Sequence, residues 1–133
     1  MKMVLNTDGG ARGNPGPGAI GVVLKNSDGD IILELGQYIG RSTNNEAEYK
    51  ALLTGLKSAK EKNASSLSCY LDSELVVKQM RGEYKVKNSK LKKFFDEAKK
   101  LEKSFTKIEY KHVPRSKNKE ADTLVNKVLD STL

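Results

Sequence analysis

Cysteine, histidine and long apolar runs are all scarce in this chain of 133 residues, and each shortage excludes something. The one cysteine, Cys69, rules out an internal disulfide. Its place inside an apolar run points to a buried small side chain in a protein of a reducing compartment. With one histidine, His112, beside that single cysteine, there is no ligand set for zinc. No run approaches the roughly 20 apolar residues of a membrane span, and the N-terminus lacks the apolar stretch of a signal peptide. There is no G-x-x-x-x-G-K-[ST] loop for nucleotide phosphates. Gly16-Pro17-Gly18-Ala19-Ile20-Gly21 matches the dinucleotide pattern in letters only, because a strand follows where a pyrophosphate needs a helix N-terminus. The expectation is a soluble, cytoplasmic, single domain over residues 1–133, and the Met1 start fits a free-standing protein.

Charge is plentiful and unevenly placed. The formal net charge is +7, but Lys78 to Lys119 holds 15 Lys and Arg against 5 Asp and Glu, leaving the remainder faintly acidic. A basic half beside a carboxylate-bearing half suits a polyanion held next to an acidic site, although a solvated lysine-rich helix would look the same.

Along the chain, Met3-Val4-Leu5 is a short apolar run that delivers Asp8 into a segment with five glycines and two prolines, Gly9 to Gly18. Glycine and proline together predict a shaped loop there. Ala19–Leu24 and Ile31–Leu35 read as a hairpin around Ser27-Asp28-Gly29-Asp30. Thr43-Asn44-Asn45-Glu46 fits a capping box, and Tyr49, Leu52, Leu53, Leu56 and Ala59 mark the apolar face of the helix behind it. Leu67, Cys69 and Leu71 alternate as a fourth strand that ends at Asp72, either a ligand position at a strand end or a simple N-cap. A short helix follows from Ser73, then a polar connection, Gly82 to Asn88. Next come a lysine-rich amphipathic helix with Leu91, Phe94, Phe95, Ala98 and Leu101, a fifth strand over 106–113, and a terminal helix beginning near Asn118. The order β-β-β-α-β-α-α-β-α predicts an α/β fold with one mixed sheet and helices on its faces.

Four acids, Asp8, Glu48, Asp72 and Asp122, each fall at the end of an element. If they converge at one sheet edge they repel one another unless cations sit among them. All-oxygen ligands select Mg²⁺ or Mn²⁺. Two such ions about 3.5–4 Å apart suit phosphodiester hydrolysis.

The ordered motifs carry a resemblance. Thr7-Asp8-Gly9-Gly10 with Gly13-Asn14-Pro15-Gly16, Thr43-Asn44-Asn45-Glu46-Ala47-Glu48-Tyr49, Leu71-Asp72-Ser73, and His112-Val113-Pro114-Arg115 with Asn118-Lys119-Glu120-Ala121-Asp122 resemble those of type 1 ribonuclease H across essentially the whole chain. The resemblance implies a ribonuclease H-like fold, a five-stranded mixed sheet of order 3-2-1-4-5 with helices on both faces. It implies hydrolysis of the RNA strand of RNA–DNA hybrids with two Mg²⁺ (Mn²⁺ as a substitute), giving 3′-hydroxyl and 5′-phosphate ends. Asp8, Glu48, Asp72 and Asp122 would hold the metals. Gly9, Gly10, Arg12, Asn14, Thr43, Asn44, Asn45 and Ser73 would meet the substrate, with Asn14, Asn44 and Asn45 in the minor groove where 2′-hydroxyls mark RNA. Lys92 and Lys93 of the basic helix are expected to bind hybrid. Double-stranded RNA is a further candidate substrate, a membrane is not a partner, and a monomer is expected.

Two features depart from the family pattern. Arg115 stands near the position where many relatives carry a catalytic-loop histidine, and the loop around it is short. A guanidinium stays charged at neutral pH, so Arg115 would hold the scissile phosphate or a product rather than shuttle a proton. His112 falls on the strand and reads as structural. The basic protrusion of some bacterial relatives and an N-terminal hybrid-binding module are both missing from this sequence, and Gly82–Asn88 is too short for the former. The alternatives that remain open are a non-catalytic hybrid- or RNA-binding module on the same fold, and a domain taken from a larger polypeptide.

Overall fold

Strand alternation and helix periodicity resolve into a five-stranded sheet of order β3-β2-β1-β4-β5. The structure is a computed structural model that describes residues 1–132. Its strands are β1 (Lys2–Ala11), β2 (Gly16–Asn26), β3 (Ile31–Ser42), β4 (Ser66–Leu71) and β5 (Lys107–His112). Its helices are α1 (Asn44–Glu61), α2 (Glu74–Met80), α3 (Ser89–Glu102) and α4 (Lys119–Ser131), with one 3-10 turn at Arg115–Lys117. β1, β2 and β3 pair antiparallel, whereas β4 runs parallel to β1 and β5 parallel to β4. Both the element order and the strand order match the expectation. No helix among the described residues is long and apolar enough to cross a membrane.

Side-chain alternation splits the sheet into two faces. Met3 and Leu5 of β1, Ile20, Val22 and Leu24 of β2, and Leu67, Cys69 and Leu71 of β4 point to one side, where Tyr49, Leu52 and Leu56 of α1 complete the main core. On the other side Ala19 meets Val125 and Leu129 of α4. The N-terminus of α1 forms as the sequence predicts. The Thr43 hydroxyl accepts from Glu46 N–H at 3.2 Å, and the Glu46 carboxylate accepts from Thr43 N–H at 3.1 Å.

The glycine-rich stretch differs from its sequence reading. Gly9 and Gly10 are strand residues, paired with Ile20 and Ala19, and only residues 12–15 form the turn. The glycines are there for close approach. A Cβ on Gly9 would lie 2.2 Å from the carbonyl carbon and oxygen of Ala47, so its absence lets α1 settle directly on β1. Gly21 does the same for α4, with a Cβ 2.2 Å from the Ala121 oxygen. β3 also runs past the expected Leu35 to Ser42, with irregularities at Gly18/Ala19 and Leu24/Lys25 that bend the hairpin.

This packing makes a direct prediction. Gly21→Ala should force α4 off the sheet and cost about 2–3 kcal/mol, as overpacking does. Gly10→Ala, whose Cβ would stand 3.7 Å from Val125 Cγ1, should cost little. Urea denaturation of the two variants checks the contrast.

Candidate active site

Three carboxylates arrive at one place from three elements. β1 carries Asp8, the second turn of α1 carries Glu48, and Asp72 follows the last residue of β4. The parallel pairing of Thr7 with Leu71 sets Asp8 beside Asp72; Asp8 lies within β1, not at its end as the sequence suggested, while Asp72 stands just past the end of β4. Each of the three offers an oxygen within 4.8 Å of the other two. Asp72 is not an N-cap, because the cap of α2 is Ser73, whose hydroxyl accepts from Val76 N–H at 3.3 Å. Its carboxylate is therefore left for the cleft.

The cost of this grouping registers on the acids. Burial first, then the charges of Asp72 and Asp122, push the Asp8 carboxyl from 3.8 up to about 8. Burial, followed by Asp8 and Asp72, pushes Glu48 well above the usual range, against a hydrogen bond from Gly9 N–H at 2.5 Å that favours its charged form. Asp8 and Glu48, which resist ionisation, crowd with Asp72 into a set of oxygen donors that fits a hard divalent cation, which would supply the missing positive charge.

Asp122 lines the same cleft of about 530 Å³ but is held differently. Arg115 donates to its Oδ1 from Nε at 3.1 Å and Nη2 at 2.9 Å, and Asn126 donates to its Oδ2 at 3.3 Å. Both oxygens have protein partners, and Asp122 stands outside the 4.8 Å cluster. Arg115, 72% exposed, is thus engaged with an acid where the sequence reading gave it a phosphate.

The remaining expected site residues divide by position. Gly9, Gly10, Arg12, Asn44, Asn45 and Ser73 line the acidic cleft, and Asn45 continues into a second depression of about 360 Å³ with Asn14, Thr43, Asn88 and Lys90. Asn14 and Asn44 are partly structural. The Asn14 oxygen accepts from Asn44 N–H at 3.0 Å, and the Asn44 oxygen accepts from Ala11 N–H at 2.9 Å, so the β1–β2 turn is docked on α1. Their amide N–H₂ groups have no protein partner among the described residues. Arg12 pairs with Asp130 of α4 at 2.5 Å.

Lys92 and Lys93 are exposed on α3 outside both depressions, and Lys92 pairs with Asp96. Lys99 donates to the Met80 carbonyl at 2.7 Å, which removes it from the free basic surface. His112 stands outside the cleft, 3.9 Å from Glu74 and without a hydrogen bond to it.

Two residues escaped the sequence reading. Asn126 was signalled only by lying four residues after Asp122 on a helix. Asn118 is buried, donates to the Thr7 carbonyl at 2.9 Å and accepts from Asn6 at 3.1 Å, and so fixes the start of α4 against β1 beside Asp8.

Comparison with known proteins places this geometry. A family model described as reverse transcriptase-like matches residues 6–128. A bifunctional protein of Mycobacterium tuberculosis is 45% identical over 132 residues, covering 98% of this chain and 36% of its own length. The chain therefore spans about a third of that relative. The solved N-terminal RNase H domain of the same protein superposes with a TM-score of 0.94 at 44% identity, over 96% of this chain and 98% of that one. RNase H1 of Halobacterium salinarum gives 0.95 at 40% identity, over 98% and 99% of the two chains. LC11-RNase H1, solved in complex with an RNA/DNA hybrid, gives 0.92 at 40% identity and 98% coverage of each.

The raised acids carry a sign. Asp8 and Glu48 hold protons more tightly folded than unfolded. Between the ordinary carboxylate range and about 8 the metal-free protein therefore loses stability as pH rises. Asp8→Asn should raise the metal-free Tm at pH 7.5 by about 3–8 °C, a difference that fades near pH 4. Mg²⁺ should raise the wild-type Tm and leave that of the variant nearly unmoved. Thermal melts with chelator or metal across this range check both.

Proposed function

The chain belongs to the ribonuclease H family, and we propose that residues 1–133 form a single ribonuclease H domain that hydrolyses the RNA strand of RNA–DNA hybrids. The observation that carries the reading is the clustering of Asp8, Glu48 and Asp72 within 4.8 Å in an open cleft. A module that only binds nucleic acid gains nothing from unneutralised carboxylates facing phosphates. A hydrolase does, because divalent ions held there supply the positive charge that phosphodiester cleavage needs.

Mg²⁺ is the expected ion, with Mn²⁺ a substitute, and Asp8, Glu48, Asp72 and Asp122 are the residues that would hold it. The products would be 3′-hydroxyl and 5′-phosphate ends. Gly10, lacking a side chain beside Asp8, lets an RNA backbone approach the carboxylates, and Gly9 would offer only its backbone because Ala47 fills its side-chain position. The outward amide groups of Asn14, Asn44 and Asn45 suit minor-groove acceptors and 2′-hydroxyls. Thr43, at the second depression, would meet a backbone phosphate. Arg115 is the residue that exchanges partners, leaving Asp122 for the scissile phosphate or the product as negative charge enters the cleft. Lys92 and Lys93 of α3 extend the contact along the duplex backbone, while Lys90 at the second depression is held by Glu46 at 2.6 Å.

Cleavage of matched RNA–DNA, RNA–RNA and DNA–DNA duplexes with either metal tests the proposal. Asp8→Asn should abolish hybrid cleavage while the protein stays folded; cleavage retained at wild-type rate would overturn the assignment. Arg115→Ala should lower kcat roughly tenfold, about 1.4 kcal/mol of transition-state stabilisation, with little change in KM. Neutralising Lys92 and Lys93 together should flatten the salt dependence of hybrid binding by up to about 1.8 in log–log slope.

A further inference from the structure

The two faces of the sheet are not equally covered. α4 packs across β1, β2 and β3. Beyond it, the same face of β4 and β5 carries polar side chains, with Lys107 and Lys111 exposed and Tyr70 half-exposed. Parallel register arranges them in rows. Lys2 lies beside Ser66 and Ser66 beside Lys107, while Asn6 lies beside Tyr70 and Tyr70 beside Lys111.

Glu109 is the acid on these rows. It accepts from the Ser68 hydroxyl at 2.8 Å and stands 3.7 Å from Lys111. The Ser68 hydroxyl first, then Lys111, Lys107 and Lys2, hold its carboxyl below the usual range, so three lysines converge on one acid. The Lys111 ammonium lies over the Tyr70 ring, 5.9 Å from its centroid, so cation and aromatic face stand together.

This face adjoins the cleft. Side chains two residues apart on a strand share a face, about 7 Å apart along it. Two residues beyond Asn6 is Asp8, and two beyond Tyr70 is Asp72. Lys117 of the 3-10 turn and Lys119, the first residue of α4, border a small depression with Asn6. A polynucleotide strand held at the carboxylates reaches Tyr70 within a few nucleotides.

We propose that the uncovered face of β4 and β5 docks single-stranded nucleic acid continuing from the duplex in the cleft, with a base on Tyr70 and phosphates along Lys107, Lys111 and Lys117. Excess positive charge selects a polyanion. A lone aromatic ring on a flat sheet selects an unpaired base, because paired bases keep their faces stacked within the duplex. The ribonuclease reading supplies only the origin of the strand, and binding and cleavage are measured apart so that each can fail alone.

The test uses the Asp8→Asn protein and fluorescence anisotropy. The probes are a blunt RNA–DNA hybrid and the same hybrid with a single-stranded RNA extension of about 8 nucleotides at either end. One of the two extensions should tighten binding about 5- to 10-fold, and Tyr70→Ser with Lys107→Gln and Lys111→Gln should remove that gain while leaving blunt-hybrid affinity unchanged. Tyr70→Phe should retain it. Circular-dichroism melts establish that the variants fold, and blunt-hybrid cleavage is followed with Asp8 intact. The proposal is overturned if neither extension adds affinity, if the triple variant keeps the gain, or if it weakens blunt hybrid equally. Loss of binding to phosphatidylserine vesicles, with single-strand binding untouched, would also overturn it and give the face to a membrane surface.

Discussion

Repulsion among Asp8, Glu48 and Asp72 is the constraint that the rest of the molecule is built to withstand. At an effective dielectric near 20, two unit charges 4–5 Å apart repel by about 3–4 kcal/mol. A flexible segment would relieve that by moving apart. Here each acid is fixed by an element that cannot yield. Asp8 and Asp72 extend from parallel partners paired from Lys2↔Ser66 to Thr7↔Leu71. Glu48 sits on a helix whose backbone touches β1 at Gly9, and that contact also supplies the N–H that Glu48 accepts. Packing and site chemistry share one residue.

Asp122 shows what relief looks like. Its two oxygens are partnered by Arg115 and Asn126. The cleft is thus asymmetric, with a strained trio on β1, α1 and β4 and a satisfied acid on α4. Arg115 lies on an exposed turn, so its hold on Asp122 is a surface ion pair, weak enough to exchange. A histidine at that position could move a proton; an arginine can only move its charge.

Much of this was legible in the residues, and the parts that were not share a cause. Hairpin, capping box and helix faces are set by local chemistry, so they could be read from neighbours in sequence. The strand order came with the family motifs. What sequence could not give is which atoms meet across the fold. Gly9 and Gly10 looked like a loop because their reason, the approach of Ala47 and the pairing with β2, lies tens of residues away or across the sheet. Asp72 could have been a cap until Ser73 took that place. Asn14 and Asn44 looked wholly functional, yet their oxygens bind the scaffold. Lys99 belongs to the lysine-rich helix, yet its ammonium donates to the Met80 carbonyl.

The uneven coverage of the sheet follows from the same logic of small residues. α4 can lie on β2 and β3 because Gly21 and Gly36 leave room for Ala121, Leu124 and Val128. On β4 and β5 the corresponding face offers Ser66, Ser68, Tyr70 and lysines, which give a helix neither space nor apolar surface. The same face keeps an aromatic ring and cations towards water beside the acidic cleft, while Ser68 is buried and donates to Glu109. The main core lies on the opposite face and does not need them: Leu67, Cys69 and Leu71 already bury the inner side of β4. Composition on the outer side is therefore unconstrained by folding, and its lysine-rich character has to be explained by what approaches it.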